Sequence, residues 1–191
     1  MSFDGFTPDA LRFLFENKLN NSKEWYESHK DDYKKYVYEP LVELVKELAP
    51  VMEKIDNQII TIPSKIISRV RRDTRFTKDK SLYRDKAWIV FLRDKSKMSI
   101  SPCFWFELNQ DGTSHGVGYY SAEPQTMAKM REMIMDGHPA FLKALSCYET
   151  QDEFVMGGEM YKKSRFPEQP EKLKKDFIML KPIYDFLCML D

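Results

Sequence analysis

An α+β fold, with a central antiparallel sheet packed by N-terminal and C-terminal helices, follows from three features of this sequence. Residues 7–56 space their apolar side chains at a helical period. Residues 59–121 switch to β-branched and aromatic residues at period two, with one strong hairpin signal. Residues 123–191 return to mainly helical patterning. A chain of 191 residues suits one hydrophobic core, so residues 1–191 are expected to form a single domain with a sheet of roughly 4 to 6 strands.

The first helix starts at Thr7, whose side-chain oxygen is placed to accept a free backbone N–H. Pro8 stands at the first helical position, where a missing N–H costs nothing. Phe6 and Leu11 occupy staple positions. Ala10, Leu11, Leu14 and Phe15 continue the stripe to Asn20-Asn21, where asparagine tolerates the left-handed conformation that ends a helix. Ser22 caps a second helix with Trp25, His29, Tyr33, Tyr36 and Val37 on its inner face. Pro40 predicts a kink or restart, followed by the stripe Leu41, Leu44, Val45, Leu48 and Met52, and Pro50 marks a second kink point.

The β region opens with Ile59, Ile60 and Ile62, broken at Pro63. Residues 66–72 alternate as a strand, with Ile66, Ser68 and Val70 on one face and Ile67, Arg69 and Arg71 on the other. Residues 72–86 lack a regular period and read as a long structured loop anchored by Phe76, Leu82 and Tyr83. Residues 87–92 form a dense apolar strand, and residues 93–97 a polar turn. Residues 104–110 and 113–121 then flank Asp111-Gly112 as a hairpin. With Asp111-Gly112 as the turn, Phe104, Phe106 and Leu108 share a face with His115, Val117 and Tyr119. On the other face, Gly116 and Gly118 project nothing and leave a trough beside Trp105 and Glu107.

Pro124 starts a helix with Met127, Met130, Met133 and Ile134 on its apolar side, closed by Gly137. A short helix from Pro139 is expected to bury Phe141, Leu142 and Leu145. Weaker signals follow: a strand at Phe154-Val155-Met156, a turn at Gly157-Gly158 and a loop at Arg165-Phe166-Pro167. Residues 173–190 form a terminal helix, interrupted at Pro182, that packs Phe177, Leu180, Ile183, Phe186 and Leu187.

Lys plus Arg and Asp plus Glu both total 30, so bulk attraction to nucleic acid or an anionic membrane is not supported. Nucleic acid is therefore not the expected partner, and any anion binding must be local. No apolar run approaches the roughly 20 residues of a membrane span, and the N-terminal residues lack the regions of a signal peptide. Cys103, Cys147 and Cys188 are odd in number and far apart, which fits reduced thiols and a cytoplasmic location. His29, His115 and His138 lie on three different elements without a second ligand at metal spacing, so no metal and no cofactor is expected. The composition carries no mark of an oligomeric state.

The strong charge asymmetry lies in residues 65–86, where nine Lys or Arg stand against Asp73, Asp79 and Asp85. Three readings follow. In the first, Asp73 and Asp79 pair with neighbouring cations as an ion network that fixes the loop. In the second, Arg69, Arg71, Arg72, Arg75 and Lys80 converge on a small anionic or phosphate-bearing ligand, with Trp105 and Glu107 in the adjoining trough. The third makes Asp73 or Asp79 the acid or base of an enzyme acting on an anionic substrate, assisted by Glu107 or His115. A nucleic-acid contact protein, stacking bases on Trp88, Trp105 or Tyr83, is a further option. The residues favour the ion network first; a small anionic ligand is the partner expected if the loop also binds.

Several strings carry a family resemblance: F-T-P-x-x-L-R-F-L from Phe6, N-N-x-x-x-W-Y from Asn20, Y-x-x-x-V from Tyr33, R-R-D-T-R-F-T-K-D-K-S-L-Y from Arg71, and G-V-G-Y-Y leading to Glu123-Pro124. Together they resemble a bacterial family of uncharacterised proteins, domain of unknown function 2461, nearly end to end. The resemblance implies a single α+β domain without an established activity. It also implies that Asn20, Asn21, Trp25, Arg72, Asp73, Arg75, Phe76, Asp79 and Lys80 belong to the family pattern. This chain has Tyr26 where the family often has Phe, and Ser81 where proline is common.

Overall fold

The computed structural model describes residues 3–75, 78–146 and 169–190, together with the backbone of 160–164. Helix α1 (Pro8–Asn20) starts at Pro8, and the Thr7 side chain makes no capping bond, so the hydroxyl is not what begins it. Its buried face is Ala10, Phe13, Leu14 and Asn17, an i, i+3, i+4, i+7 set; Phe15, one step round the helix, faces solvent. Asn21 ends the helix in the left-handed region at φ 35°.

The Ser22 side chain accepts from Trp25 N at 3.2 Å and starts α2 (Lys23–Ser28), followed by the single turn α3 (Lys30–Asp32). A π-helical turn, Tyr33–Tyr38, then leads into α4 (Glu39–Ile55). Pro40 has no N–H, and its ring crowds the carbonyl one turn back. The wider turn, in which Glu39 N donates to Lys34 O, absorbs both problems before the proline is reached. Pro50 does not end α4, which runs on to Ile55 with Leu41, Leu44, Val45, Leu48 and Met52 fully buried. A single turn, α5 (Pro63–Ile66), precedes the sheet.

The sheet has four antiparallel strands in sequential order: β1 (Lys86–Phe91), β2 (Cys103–Asn109), β3 (Gly112–Gly118) and β4 (Met160–Ser164). The hairpin turn sits one residue earlier than expected: Asn109 pairs with Gly112, leaving Gln110-Asp111 as the loop. The Asn109 side chain accepts from Asp111 N at 2.9 Å, and Gly112 supplies the positive φ of 134° after the turn. The resulting shift in partners is two residues in total, so each side chain keeps its face. Phe104 lies opposite Val117, Phe106 opposite His115, Trp105 opposite Gly116 and Cys103 opposite Gly118.

One face of the sheet is the core. Ala87, Ile89, Phe91, Phe104, Phe106, Leu108, His115 and Val117 are all buried there. Helix α8 (Pro170–Cys188) sets Phe177 edge-on to Phe104, with centroids 5.3 Å apart, and Tyr184 at 4.9 Å from the same ring. Phe6, just before α1, stacks on Phe106 at 5.8 Å. Fully burying one such side chain stabilises the fold by roughly 1.5–3 kcal/mol. The expected interruption of the last helix at Pro182 is absent: α8 is continuous and buries Phe177, Leu180, Ile183, Phe186 and Leu187. Packing on both sides of the proline, through Leu180 and Ile183, holds the helix through it.

Two helices pack less deeply than their patterns suggest. In α6 (Pro124–Met135) no residue is buried; Met130 and Met133 lean on the core while Ile134 faces outward. Gly137, at φ 60°, closes that helix. In α7 (Pro139–Leu145), Phe141 packs on Phe186 at 5.7 Å and Ala144 is buried, whereas Leu142 is exposed and Leu145 half-buried. A seven-residue helix has one inner face, and Phe141 with Ala144 fill it. The expectations at Phe76, Cys147, Phe154-Val155-Met156, Gly157-Gly158 and Arg165-Phe166-Pro167 lie outside the described residues. Among the described residues, no helix is long and apolar enough to cross a membrane.

Candidate functional site

Residues 66–72 do not form the expected strand. Pro63 starts a helical turn in which Ile67 N donates to Pro63 O at 2.9 Å, so the chain leaves it with both Ile66 and Ile67 buried. Two consecutive buried residues break the alternation a one-sided strand needs. What remains is a single bridge between Ile67 and Ile89, with Ser68 N donating to Trp88 O at 2.9 Å. A second bridge joins Arg71 to Tyr83; Arg72 N donates to Leu82 O at 2.9 Å and Arg84 N to Val70 O at 2.8 Å. These bonds close residues 72–82 into a loop. Arg69 and Arg71 are exposed beside it and do not line a sheet face.

Within the loop, Asp73 takes Arg75 bidentately, from Nε at 2.9 Å and Nη2 at 2.6 Å. Those bonds hold the Asp73 carboxyl down at about 2. Asp79 accepts from Ser81 N at 2.9 Å and from Arg72 Nη1, and it too is held below the ordinary range, chiefly by the Ser81 N–H. Lys80 Nζ donates to Thr74 O at 2.9 Å. Arg75, Lys80 and both aspartates are thus committed to the loop's own shape, at its exposed side.

Helix α1 grips the end of this loop. The Asn21 side chain accepts from Leu82 N at 2.6 Å and Tyr83 N at 3.1 Å and donates to Tyr83 O at 2.9 Å. Asn17, fully buried, donates to Arg84 O at 2.6 Å. Tyr83 is buried and stacks on Tyr26 at 4.4 Å. The role of Asn21 as a helix-ending residue is therefore only half of what it does; its side chain also docks the loop. Long-range partners of this kind leave no periodic mark in a sequence.

Arg84, placed by those contacts, hangs over the open face of the sheet. Its guanidinium lies 4.4 Å from the Trp88 ring centroid, and Nε donates to Arg69 O at 3.1 Å. Among the described residues no carboxylate lies within ion-pair distance of it. Burial, and secondarily the charge of Arg72, push its pKa down. Lys86 Nζ, on β1, reaches Glu107 on β2 at 2.7 Å, and Asp85 faces Lys18 at 3.5 Å.

These groups border a trough of about 620 Å³ on the sheet face opposite the core, lined by Trp88, Val90, Cys103, Trp105, Glu107 and Gly118, with Arg72, Arg84 and Lys86 at one end. Of the two glycines expected to leave a trough, Gly118 is among the lining residues and Gly116 is not. Of the expected binding residues, the trough includes Arg72, Trp105 and Glu107. It excludes Arg69, Arg71, Arg75 and Lys80, and also Asp73 and Asp79. Arg84 and Lys86 were not singled out by sequence; the alternation that puts Trp88 and Lys86 on the outer face of β1 was the available signal. His115 is separated from Glu107 by the sheet itself: it faces the core, 2.9 Å from Asp176. His29 stacks on Trp25 at 4.2 Å and sits 2.8 Å from Trp25 O, a satisfied packing residue. Among the described residues no group of three or more His, Cys, Asp or Glu converges as a metal set.

No curated protein and no solved structure matches this chain. A family described as "Conserved hypothetical protein (DUF2461)" matches residues 9–186, which spans α1 to near the end of α8 and includes the loop, the trough and both asparagines that join them. The chain belongs to that family of conserved proteins of unknown function.

Proposed function

We propose that this is a non-enzymatic cytoplasmic domain that binds a small anion-bearing ligand in the trough. Arg72, Arg84 and Lys86 supply the cationic end, and Trp105 and Glu107 belong to the floor. One observation carries the reading: Arg84 is held over Trp88 in the wall of a concave site without a carboxylate partner among the described residues. Burial of the Arg84 guanidinium carries a desolvation cost that an anion relieves, to which Arg72, itself paired with Asp79, adds a smaller repulsion. Glu107 and Asp85 do not supply that relief, since they lie with Lys86 and Lys18.

Titration of the ¹⁵N-labelled protein with inorganic phosphate tests this. The Trp88 indole and Arg84 Nε–H signals are expected to shift in a saturable way. Arg84→Gln should weaken phosphate roughly ten- to hundredfold, from the loss of charge-assisted hydrogen bonds of about 1.5–3 kcal/mol. Arg75→Gln, outside the trough, should leave binding unchanged. Unmoved Trp88 and Arg84 signals at tens of millimolar phosphate, or equal losses from both variants, would refute the reading.

A further inference from the structure

The trough is polarised along the strands, and this sharpens what it takes. Cross-strand pairs stack in rows on its floor. Trp88 lies opposite Glu107, and the next outward row sets Val90 opposite Trp105. Beyond these, Cys103 lies opposite Gly118. Arg84, Arg72 and Lys86 gather at the Trp88 row, whereas the rows beyond are apolar and aromatic. There Tyr119 joins the lining, its hydroxyl donating to Leu187 O at 2.7 Å. Tyr120 stands at the rim with 86% of its surface exposed.

A ligand that fills both ends must therefore carry its charge at one end and a flat apolar body at the other. Alternate residues of a strand lie about 7 Å apart, the order of the span from a 5′-phosphate across a ribose to its base. A volume of about 620 Å³ suits one such molecule with its waters rather than an extended polynucleotide. At the charged end Arg72 already pairs with Asp79 and Lys86 with Glu107, so the Arg84 fork leads the contact. With the remaining donors of Arg72 and Lys86 beside it, it presents more N–H groups than the two oxygens of a carboxylate take up, which suits a phosphate.

Resting on the anion-binding reading, we infer that the ligand is of nucleoside monophosphate type. Its phosphate lies against Arg84 and Arg72, and its heterocyclic ring lies in the aromatic end beside Trp105 and Gly118. Ring stacking contributes in addition to charge, and adenosine 5′-monophosphate is the probe.

Calorimetry on the full chain, comparing adenosine 5′-monophosphate, adenosine, inorganic phosphate and benzoate, separates anion binding from recognition of the ring. The monophosphate should bind roughly tenfold or more tightly than phosphate, the gain expected from stacking one base. Adenosine should bind more weakly than the monophosphate, and Arg84→Gln should erase that preference. Trp105→Ala should lower monophosphate affinity roughly tenfold while leaving phosphate affinity in place. Trp105→Phe, which keeps a ring, should recover most of the loss and serves if the alanine variant does not fold. Phosphate that binds at Trp88 with no gain for the monophosphate overturns this inference but leaves the anion site standing. Benzoate equal to the monophosphate overturns it in favour of a carboxylate. Monophosphate binding unaffected by Arg84→Gln and by both Trp105 variants overturns it by locating the contact elsewhere. Failure of every probe to bind removes the anion reading as well.

Discussion

Asn21 offers the sharpest test of how the site is held. Its side chain makes three hydrogen bonds to the backbone of Leu82 and Tyr83, while its own backbone sits at φ 35°. Asn21→Gly keeps the left-handed conformation at no steric cost and removes only the side-chain bonds. At roughly 1 kcal/mol each, their loss destabilises the protein by about 3 kcal/mol, or roughly 6–12 °C in Tm for a domain of this size. Asn21→Ala adds a further loss of roughly 1–2 kcal/mol for the left-handed backbone. Thermal unfolding followed by circular dichroism gives the magnitudes, and hydrogen exchange at the Leu82 and Tyr83 amides gives the location. Because Arg84 follows directly, phosphate binding should weaken in the same variants. A loss below about 1 kcal/mol in Asn21→Gly, with Leu82 and Tyr83 still protected, would refute the docking role.

Two further outcomes follow from geometry. Asp73, held at about 2 by Arg75, has a folded value below its unfolded one, so the pair's contribution is present above the ordinary carboxyl range and is lost as pH falls through about 2. Carbon-detected titration of Asp73 should find that low midpoint, and Arg75→Gln, which keeps the backbone N–H bond to Asp73, should raise it part of the way to the ordinary range; an unchanged midpoint would count against the pairing. Pro50 sits on the exposed side of the continuous α4, where a proline is worth about 3 kcal/mol less than alanine, offset by up to about 1 kcal/mol from its stiffer unfolded chain. Pro50→Ala is therefore expected to raise stability by about 2–3 kcal/mol in urea unfolding, and a destabilised variant would show that the helix is bent around the ring.

Where a residue's role is local and periodic, sequence reasoning reaches it. The burial of Leu41 through Met52, the two faces of β2 and β3, and the open floor at Gly118 are all set by spacing along one element. The register offset at Gln110-Asp111 did not disturb the faces, because a two-residue shift preserves strand parity. Phe15 and Leu142 face solvent although their spacing marks them as inner residues, because an amphipathic pattern does not say how wide the partner's surface is. The strand at residues 66–72 failed for a different reason: alternation was present, but a helical turn begun by Pro63 changed the phase before any strand pairing could use it.

The charge cluster at residues 65–86 divides between the two levels. Sequence alone determined that the cations are local, that the chain is otherwise balanced, and that aspartates inside the loop can neutralise some of them. Only the tertiary structure decided which ones: Arg75 and Lys80 turn inward on the loop, while Arg84 is carried over Trp88 by the grip of Asn17 and Asn21. The reason is physical. Periodicity reports which way a side chain points from its own element, but the position of Arg84 is set by hydrogen bonds from Asn17 and Asn21, more than sixty positions from the segment they hold, and these exist only once the helix meets the loop.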